Sequence, residues 1–216
     1  MISSRNAGAV IYVHGKGGSA AESSHYEPLF PLYEVIGIEY GGDTPWEAGA
    51  QIRAAVRDIG EQYGETVLIA NSIGAFFSMN AGIDTLVSRA YFISPIADME
   101  KLICGMTAAA GITEDQLRKC GTIKTVSGDV LSWKYLCFVR EHPVEWRAPT
   151  EIIYGENDML TDGETAAAFA ERIGAGFNVM PGGEHWFHTE EQMKFLDEVI
   201  IRAEEKHGAG NAYGVL

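Results

Sequence analysis

Ser72 is the residue whose sequence surroundings most favour nucleophilic chemistry. It lies at the centre of residues 70–74, Ala-Asn-Ser-Ile-Gly, between an apolar run at 66–69 that predicts a buried strand and a run at 75–81 that predicts a helix. A serine at such a strand-to-helix turn is lifted into the open, and the small residues two before and two after it leave room for the turn. The new helix also presents backbone N–H groups where negative charge would develop on a reacting carbonyl. We therefore predict that Ser72 is a nucleophile.

A histidine must remove the proton of such a serine, because the hydroxyl alone is a poor nucleophile. His185 lies in a loop after the strand-like residues 176–180, and His188 is its rival three residues later. Thr189 and the two glutamates after it predict the start of a helix, which makes His188 a surface residue before that helix. We predict His185 as the base, with the geometry of the site as the final test.

Asp158 is the predicted third member of this group. It follows the strand-like residues 151–154 and precedes the histidine in the chain. A carboxylate in this role orients the histidine and stabilises the imidazolium without itself being protonated. Glu156 and Asp162 are alternatives, but a surface carboxylate and a helix cap explain them more readily.

A glycine-rich loop completes the set of motifs. Residues 10–13 predict a strand that ends in His-Gly-Lys-Gly-Gly at 14–18. An H-G-x-x-G loop, an elbow serine, a G-x-x-D acid and a late histidine resemble the α/β-hydrolase superfamily, whose fold imposes this chain order. The resemblance covers nearly the whole chain outside residues 97–147. The glycine spacing fits neither a dinucleotide-binding fingerprint nor a P-loop, so both are rejected.

The resemblance also implies where an oxyanion would bind. It makes the backbone N–H groups of Lys16 and Ile73 the oxyanion hole, with Gly17 as the second choice for the loop donor. Candidate pocket residues share an aromatic or apolar side chain, or a place in the loop, and are Gly17, Trp133, Leu136 and Trp186. Ordinary packing of the aromatic and apolar members explains them equally well.

Strand-like and helix-like runs alternate along the chain, which predicts a parallel sheet covered on both faces, a three-layer α/β/α sandwich. The strand candidates are residues 9–13, 34–38, 66–71, 89–94, 150–155 and 176–180. The helix candidates lie near residues 23–30, 46–63, 73–82, 163–173 and 190–206.

The front of the chain departs from the superfamily. About eight residues precede the first strand, where full-length members of the fold carry a further strand hairpin. We therefore predict a truncated, all-parallel sheet of about six strands in the order 2-1-3-4-5-6, numbered along the chain. Such a sheet leaves an edge exposed, which would allow a homodimer.

Residues 97–147 predict a small helical cap over the active site, inserted between two parts of the core, 1–96 and 148–216. Asp98 caps a first predicted helix that runs to about Ala110. A second helix, with a capping box at Thr113, ends at Gly121. A turn at 127–129 and a third helix at 133–141 follow.

Composition limits the partners of the protein. A chain of 216 residues is long enough for one well-buried domain and too short for two catalytic domains. The formal net charge of −14 argues against binding to nucleic acid or to an anionic membrane, since phosphate binding needs clustered Lys and Arg. The histidines have none of the spacings of metal motifs, so we predict no metal and no cofactor.

The chain also lacks the patterns of export. No apolar segment of a secretory leader precedes the first strand, and no apolar run approaches the ~18 residues that span a bilayer. The three cysteines, Cys104, Cys120 and Cys137, form no CxxC pair, so a reduced, cytoplasmic protein is expected, with a disulfide in the insert as a minor alternative.

Together these features predict a cofactor-independent serine hydrolase that cleaves a carboxylic ester, or a thioester, of a small or medium substrate. Acyl transfer, amide cleavage and C–C bond hydrolysis remain alternatives on the same three side chains. A hydrolase-fold binding protein without catalytic activity is the alternative of a different class, because a fold does not determine a reaction.

Overall fold

The computed structural model of the protein describes residues 8–212, with side chains described as far as residue 208. Residues 1–7 and 213–216, predicted as the two ends of the core, lie outside the described residues.

Eight strands and seven α-helices follow one another along residues 8–212. The strands are β1 (Gly8–Val13), β2 (Tyr33–Ile38), β3 (Thr66–Asn71), β4 (Arg89–Ile93), β5 (Thr122–Lys124), β6 (Val130–Ser132), β7 (Thr150–Gly155) and β8 (Gly176–Met180). The helices are α1 (Pro45–Gly60), α2 (Ile73–Asn80), α3 (Met99–Ala109), α4 (Glu114–Cys120), α5 (Trp133–Glu141), α6 (Gly163–Ile173) and α7 (Glu190–Ala212).

Six of the strands form one sheet in the order β2-β1-β3-β4-β7-β8, and every neighbouring pair is parallel. The six strand candidates, their parallel pairing and their predicted order are confirmed. Because parallel strands place all their carboxyl ends on one edge, the segments after β1, β3, β7 and β8 meet at that edge.

Side chains alternate between the two faces of the sheet, and each face has its own core. On one face Ile11, Leu68 and Phe92 pack with residues of α1, α2 and α6. On the other face Tyr12 and Ile69 pack with residues of α7. The predicted three layers are therefore present.

The segment predicted as a helix near 23–30 is a 3-10 helix, Ala20–Leu29. Pro28 lies inside it, has no N–H to donate and disfavours α-helical backbone at the residue before it. A regular α-helix is therefore disfavoured here, and the segment instead packs the buried Tyr26 against the sheet.

The insert between β4 and β7 contains the three predicted helices and one feature that was not predicted. The strands β5 and β6 pair antiparallel, and the predicted turn lies between them with Gly128 at φ +95°. Strands of three residues are too short to produce a recognisable alternating pattern. Leu117, Leu131 and Leu136 attach the insert to the core that contains α1 and α2.

The amino-terminal end of the sheet is closed by a charged network around Arg89, the first residue of β4 and only 5% exposed. Its guanidinium donates two hydrogen bonds of 2.6 Å to the carboxylate of Glu204 in α7. It also pairs with Glu65, and the hydroxyls of Tyr33 and Tyr91 donate to Glu65 and Glu204 respectively. This network ties the last helix to the central strands.

No helix within residues 8–212 has the length and apolar character to cross a membrane. In the same part of the chain, no group of three or more His, Cys, Asp or Glu side chains is placed to hold a metal ion. The cysteines Cys104, Cys120 and Cys137 are all free thiols.

Candidate active site

Ser72 occupies a tight turn between β3 and α2. Its backbone has φ 53° and ψ −120°, a conformation with positive φ that costs a residue with a side chain about 1–3 kcal/mol. Gly74 makes the turn possible, because a Cβ there would lie 2.3 Å from the carbonyl oxygen of His14. The start of α2 thus packs directly on the end of β1, which brings the loop after β1 beside the serine.

Three side chains form a hydrogen-bonded chain at this turn. The Oγ of Ser72 lies 2.8 Å from Nε2 of His185, and Nδ1 of His185 lies 2.7 Å from Oδ2 of Asp158. The carboxylate is fully buried and the imidazole side chain is 19% exposed. A carboxylate only accepts, so Nδ1 carries the proton and Nε2 is free to accept the proton of the serine hydroxyl.

Asp158 is held by its own loop. Its second oxygen, Oδ1, accepts hydrogen bonds from the backbone N–H groups of Leu160 and Thr161, at 2.8 Å and 3.1 Å. The hydroxyl of Thr161 in turn donates to the carbonyl of Pro95 after β4. These bonds fix the carboxylate in the orientation that meets the imidazole.

The loop that carries His185 is tied to the loop that carries the acid. The backbone N–H of Asn157 donates to the carbonyl of Gly183 at 2.7 Å, and the Glu156 carboxylate accepts from the N–H of Gly182 at 2.8 Å. The relative position of acid and histidine is therefore set by the two loops together. Glu156, one of the alternatives for the acid, braces the loop and does not contact the imidazole.

The other sequence alternatives lie outside the hydrogen-bonded chain. Nδ1 of His188 bonds to the carbonyl of Trp186 at 2.7 Å, and the two rings stack. Asp162 caps α6 through the N–H of Thr165 and pairs with Nζ of Lys101 at 2.7 Å. These partners, Lys101 first, lower the pKa of Asp162. The geometry therefore brings His185 and Asp158, rather than their rivals, to Ser72.

The loop after β1 is shaped by His14. Its Nδ1 bonds to the carbonyl of Gly15 at 2.8 Å, and its ring stacks on Tyr40 with 4.4 Å between ring centroids. Tyr40 donates its hydroxyl hydrogen to the carbonyl of His14 at 2.7 Å. Burial, then nearby carboxylates, raises the pKa of Tyr40 to about 12, so this donor stays protonated.

The segments that carry the predicted oxyanion donors adjoin the serine on two sides. Ile73 opens α2, and the first N–H groups of a helix have no partner inside it. Lys16 and Gly17 belong to the loop that lines the cleft above Ser72. The predicted donors Lys16 and Ile73 thus belong to the two segments that adjoin the nucleophile.

A cleft of about 390 Å³ opens above the serine. Its lining residues come from four loops and are Gly15, Lys16, Gly17, Gly18, Glu22, Asn71, Ser72, Leu160, His185 and Trp186. Of the predicted pocket residues, Gly17 and Trp186 line this cleft, whereas Leu136 is 1% exposed inside the core and Trp133 lines a separate depression beside α4. The helix that carries Trp133 and Leu136 faces the hydrophobic core, so these two residues do not contribute to the cleft.

Glu22 and Leu160 line the cleft but were not among the predicted site residues. Ser19 and Glu22 have the spacing of a capping box, and the N–H of Ser19 donates to the Glu22 carboxylate. That pattern could have placed Glu22 at the start of a helix beside the glycine-rich loop. Leu160 has no signal beyond its position two residues after Asp158.

The architecture is the α/β-hydrolase fold. The chain is similar to Est1E from Butyrivibrio proteoclasticus, with a TM-score of 0.72 and 17% identity over 95% of this chain and 90% of that one. It is similar to mouse alpha/beta hydrolase domain-containing protein 10, with a TM-score of 0.72 and 16% identity over 92% and 90% of the two chains. It is also similar to the monoacylglycerol lipase of Paleococcus ferrophilus, with a TM-score of 0.60 and 16% identity over 91% of this chain and 95% of that one.

At such identities the likeness establishes the fold, while the reaction has to be argued from the site. No family model and no curated protein sequence matches the chain.

Proposed function

We propose that the protein is a serine hydrolase that cleaves a carboxylic ester of a small or medium substrate through an acyl-enzyme. The observation that carries the proposal is the pair of distances that joins Ser72 to His185 and His185 to Asp158, 2.8 Å and 2.7 Å, at a serine in a strained turn. Nucleophile, base and orienting acid in this geometry suit acyl transfer.

In the first half of the reaction the Oγ of Ser72 attacks the ester carbonyl carbon while Nε2 of His185 takes the hydroxyl proton. The negative charge on the carbonyl oxygen is stabilised by the backbone N–H groups of Ile73 and Lys16. Asp158 stabilises the imidazolium through the hydrogen bond to Nδ1. Loss of one such oxyanion donor typically lowers kcat by about 10²–10³.

In the second step Nε2 of His185 returns the proton to the ester oxygen of the leaving alcohol, and the C–O bond breaks. Water then enters, gives a proton to the same nitrogen and attacks the acyl carbon. Collapse of this second intermediate releases the carboxylic acid and restores the hydroxyl of Ser72. A thioester would follow the same steps with sulfur as the leaving atom.

The choice of an ester has two supports. Structures similar to this chain include one named lipase-esterase related protein, from Clostridium acetobutylicum, and the monoacylglycerol lipase of Paleococcus ferrophilus. The cleft of about 390 Å³ lies within the range of small-molecule sites, which fits a small or medium substrate.

Labelling with a fluorophosphonate probe tests the proposal directly, because the probe reacts with an activated serine. Ser94 offers a matched control: it follows β4 as Ser72 follows β3, and both have positive φ, 42° and 53°. We expect wild type and Ser94→Ala to be labelled and Ser72→Ala to remain unlabelled. A p-nitrophenyl ester series of increasing acyl length would then define the size of the acyl site.

A folded wild-type protein that is neither labelled nor able to hydrolyse any ester of the series would contradict the proposal. The non-catalytic binding protein with a hydrolase fold would then be the better hypothesis. Labelling that persists in Ser72→Ala would assign the activated nucleophile to another residue.

A further inference from the structure

The cleft has two chemically different walls. In the sheet β1 lies on one side of β3, whereas β4, β7 and β8 lie on the other. The segments after β1 therefore form one wall beside Ser72, which contains the glycine-rich loop and the carboxylate of Glu22. The segments after β7 and β8 form the opposite wall, with Leu160, His185 and Trp186.

Glu22 is held in its wall by two hydrogen bonds. The hydroxyl of Tyr12 donates to Oε2 at 2.5 Å, and the backbone N–H of Ser19 donates to Oε1 at 3.3 Å. The glycine-rich loop packs closely against the carboxylate, since a Cβ on Gly18 would lie 2.7 Å from Oε1. The carboxylate therefore has a fixed place at the cleft, while its residue remains exposed to solvent.

No cation neutralises this carboxylate within the described part of the chain. None of the Lys, Arg or His nitrogens described lies within 4.0 Å of it, and the lysine of the cleft, Lys16, points its Nζ to Asp129 at 3.4 Å. The side chains against Glu22 are phenols. Burial is the main cause that raises the pKa of Tyr12 and Tyr26, and the charge of Glu22 raises both further. Both phenols therefore stay neutral.

An unpaired carboxylate beside a site where an oxyanion must form disfavours that oxyanion. A cation in the substrate would remove this penalty, whereas a negatively charged substrate would be repelled by Glu22. The position of the cation follows from the chemistry. His185 must protonate the leaving group, so the leaving group lies at the wall that holds His185, Leu160 and Trp186. The acyl part then faces Glu22.

We propose that Glu22 is a specificity-determining residue that selects esters whose acyl part carries a cationic group such as an ammonium. The inference rests on the proposed esterase function for its account of which part of the substrate faces which wall. It adds a substrate class: esters with a cationic group in the acyl part and an apolar or aromatic leaving group.

The test compares two substrates of the same shape. One is the p-nitrophenyl ester of γ-trimethylammoniobutyrate, and the other is its neutral isostere with carbon in place of the quaternary nitrogen. We expect wild type to have a kcat/KM about fivefold higher for the cationic ester, and Glu22→Gln to lose the preference. Glu27→Gln makes the same charge change on the same 3-10 helix, at an exposed residue outside the cleft lining, and should keep the preference.

A role of Glu22 as a mere brace of the loop has a different signature. Glu22→Gln would then lower kcat/KM for both esters by the same factor, and the inference would be overturned. It would also be overturned if wild type preferred a cation in the alcohol part, as in choline acetate compared with its neutral carbon isostere. The preference should weaken as salt is added, because an exposed charge pair is screened.

A binding measurement separates this inference from the proposed function. Titration calorimetry of Ser72→Ala with γ-trimethylammoniobutyramide needs no turnover, and we expect binding that is about fivefold weaker when Glu22→Gln is added. Hydrolysis that depends on Ser72 but shows no charge preference would contradict the role of Glu22 and leave the proposed esterase function intact. If the protein is neither labelled nor hydrolyses any ester, but still binds the ammonium amide in a way that depends on Glu22, the esterase function is contradicted and the cation site remains.

Discussion

The two ends of the central sheet use charged groups in opposite ways. At the amino-terminal end Arg89, 5% exposed, is paired with two carboxylates, Glu65 from the loop before β3 and Glu204 from α7. At the carboxyl-terminal end the backbone of Ser72 is strained, and its hydroxyl and the edge of the His185 ring open into a cleft. The charged groups at the amino-terminal end are paired with each other, whereas Ser72 and His185 at the carboxyl-terminal end remain accessible to a substrate. Substitutions at the two ends should therefore separate catalysis from stability.

The largest separation should come from Asp158→Asn. The amide can place an N–H against Nδ1 of His185, which favours the tautomer that cannot accept the serine proton, and kcat should fall by about 10⁴. Thermal unfolding should change little in comparison. Measurement of p-nitrophenyl ester hydrolysis tests this, with Asp162→Asn as the control, because Asp162 caps α6 and does not contact the imidazole. An equal loss in both variants would contradict the assignment of the acid.

Arg89→Met should produce the reverse pattern. The change leaves the carboxylate of Glu204 without its cation, and the free energy of unfolding should drop by about 3 kcal/mol, the low end for a broken buried pair, since the partners are partly exposed. Urea denaturation measures the loss, and kcat/KM of the folded variant should match wild type. Arg57→Met removes an exposed arginine paired with the exposed Asp58 and should cost little. A large fall in kcat/KM for Arg89→Met would show that the two ends are coupled.

A smaller effect is expected at the elbow itself. Ser72→Gly should raise the free energy of unfolding by about 1 kcal/mol relative to Ser72→Ala, because glycine adopts positive φ without strain. Both variants lack the proposed nucleophile, so stability is the quantity to compare between them. Urea denaturation of the pair gives the value. Equal stability of the two would mean that the turn at Ser72 stores no strain.

The smallest expected effect is the loss of stability at acid pH through protonation of Glu65. Burial tends to raise the pKa of Glu65, but the hydrogen bond from Tyr33 and the charge of Arg89 outweigh it, so its pKa lies below the ordinary 4.5. A lowered pKa means that the stabilisation is present above pH 4.5 and is lost as the pH falls through the pKa of the folded state. The stability difference between wild type and Arg89→Met should therefore shrink below that pH. A difference that is constant down to acid pH would exclude a contribution from Glu65.

The sequence predicted the sheet well because burial in a parallel sheet leaves a strong mark. Strands such as β3, apolar on both faces, appear as continuous runs, and turn motifs mark their ends. The sequence also predicted Ser72, Asp158 and His185, and the structure brings the three together, because each follows a strand whose end lies on the same edge.

The missed features depend on neighbours that a sequence pattern cannot reveal. Leu136 and Trp133 have the apolar character of pocket residues, yet their helix turns towards the core and a second depression. The 3-10 form of Ala20–Leu29 and the pairing of β5 with β6 depend on the surrounding structure. Glu22 has a local signal, its capping box with Ser19, but its place at the cleft depends on how closely the glycine-rich loop packs against it.

The bond between Arg89 and Glu204 has a consequence for synthesis. The two residues are 115 positions apart, and Glu204 belongs to α7, which follows all the other described elements in the chain. On the ribosome β4 is therefore made long before the partner of its arginine, and the amino-terminal end of the sheet cannot close until α7 has emerged. Until then Arg89 has only the earlier Glu65 of its two carboxylate partners, and the sheet face that α7 covers, with Tyr12 and Ile69, stays open to water.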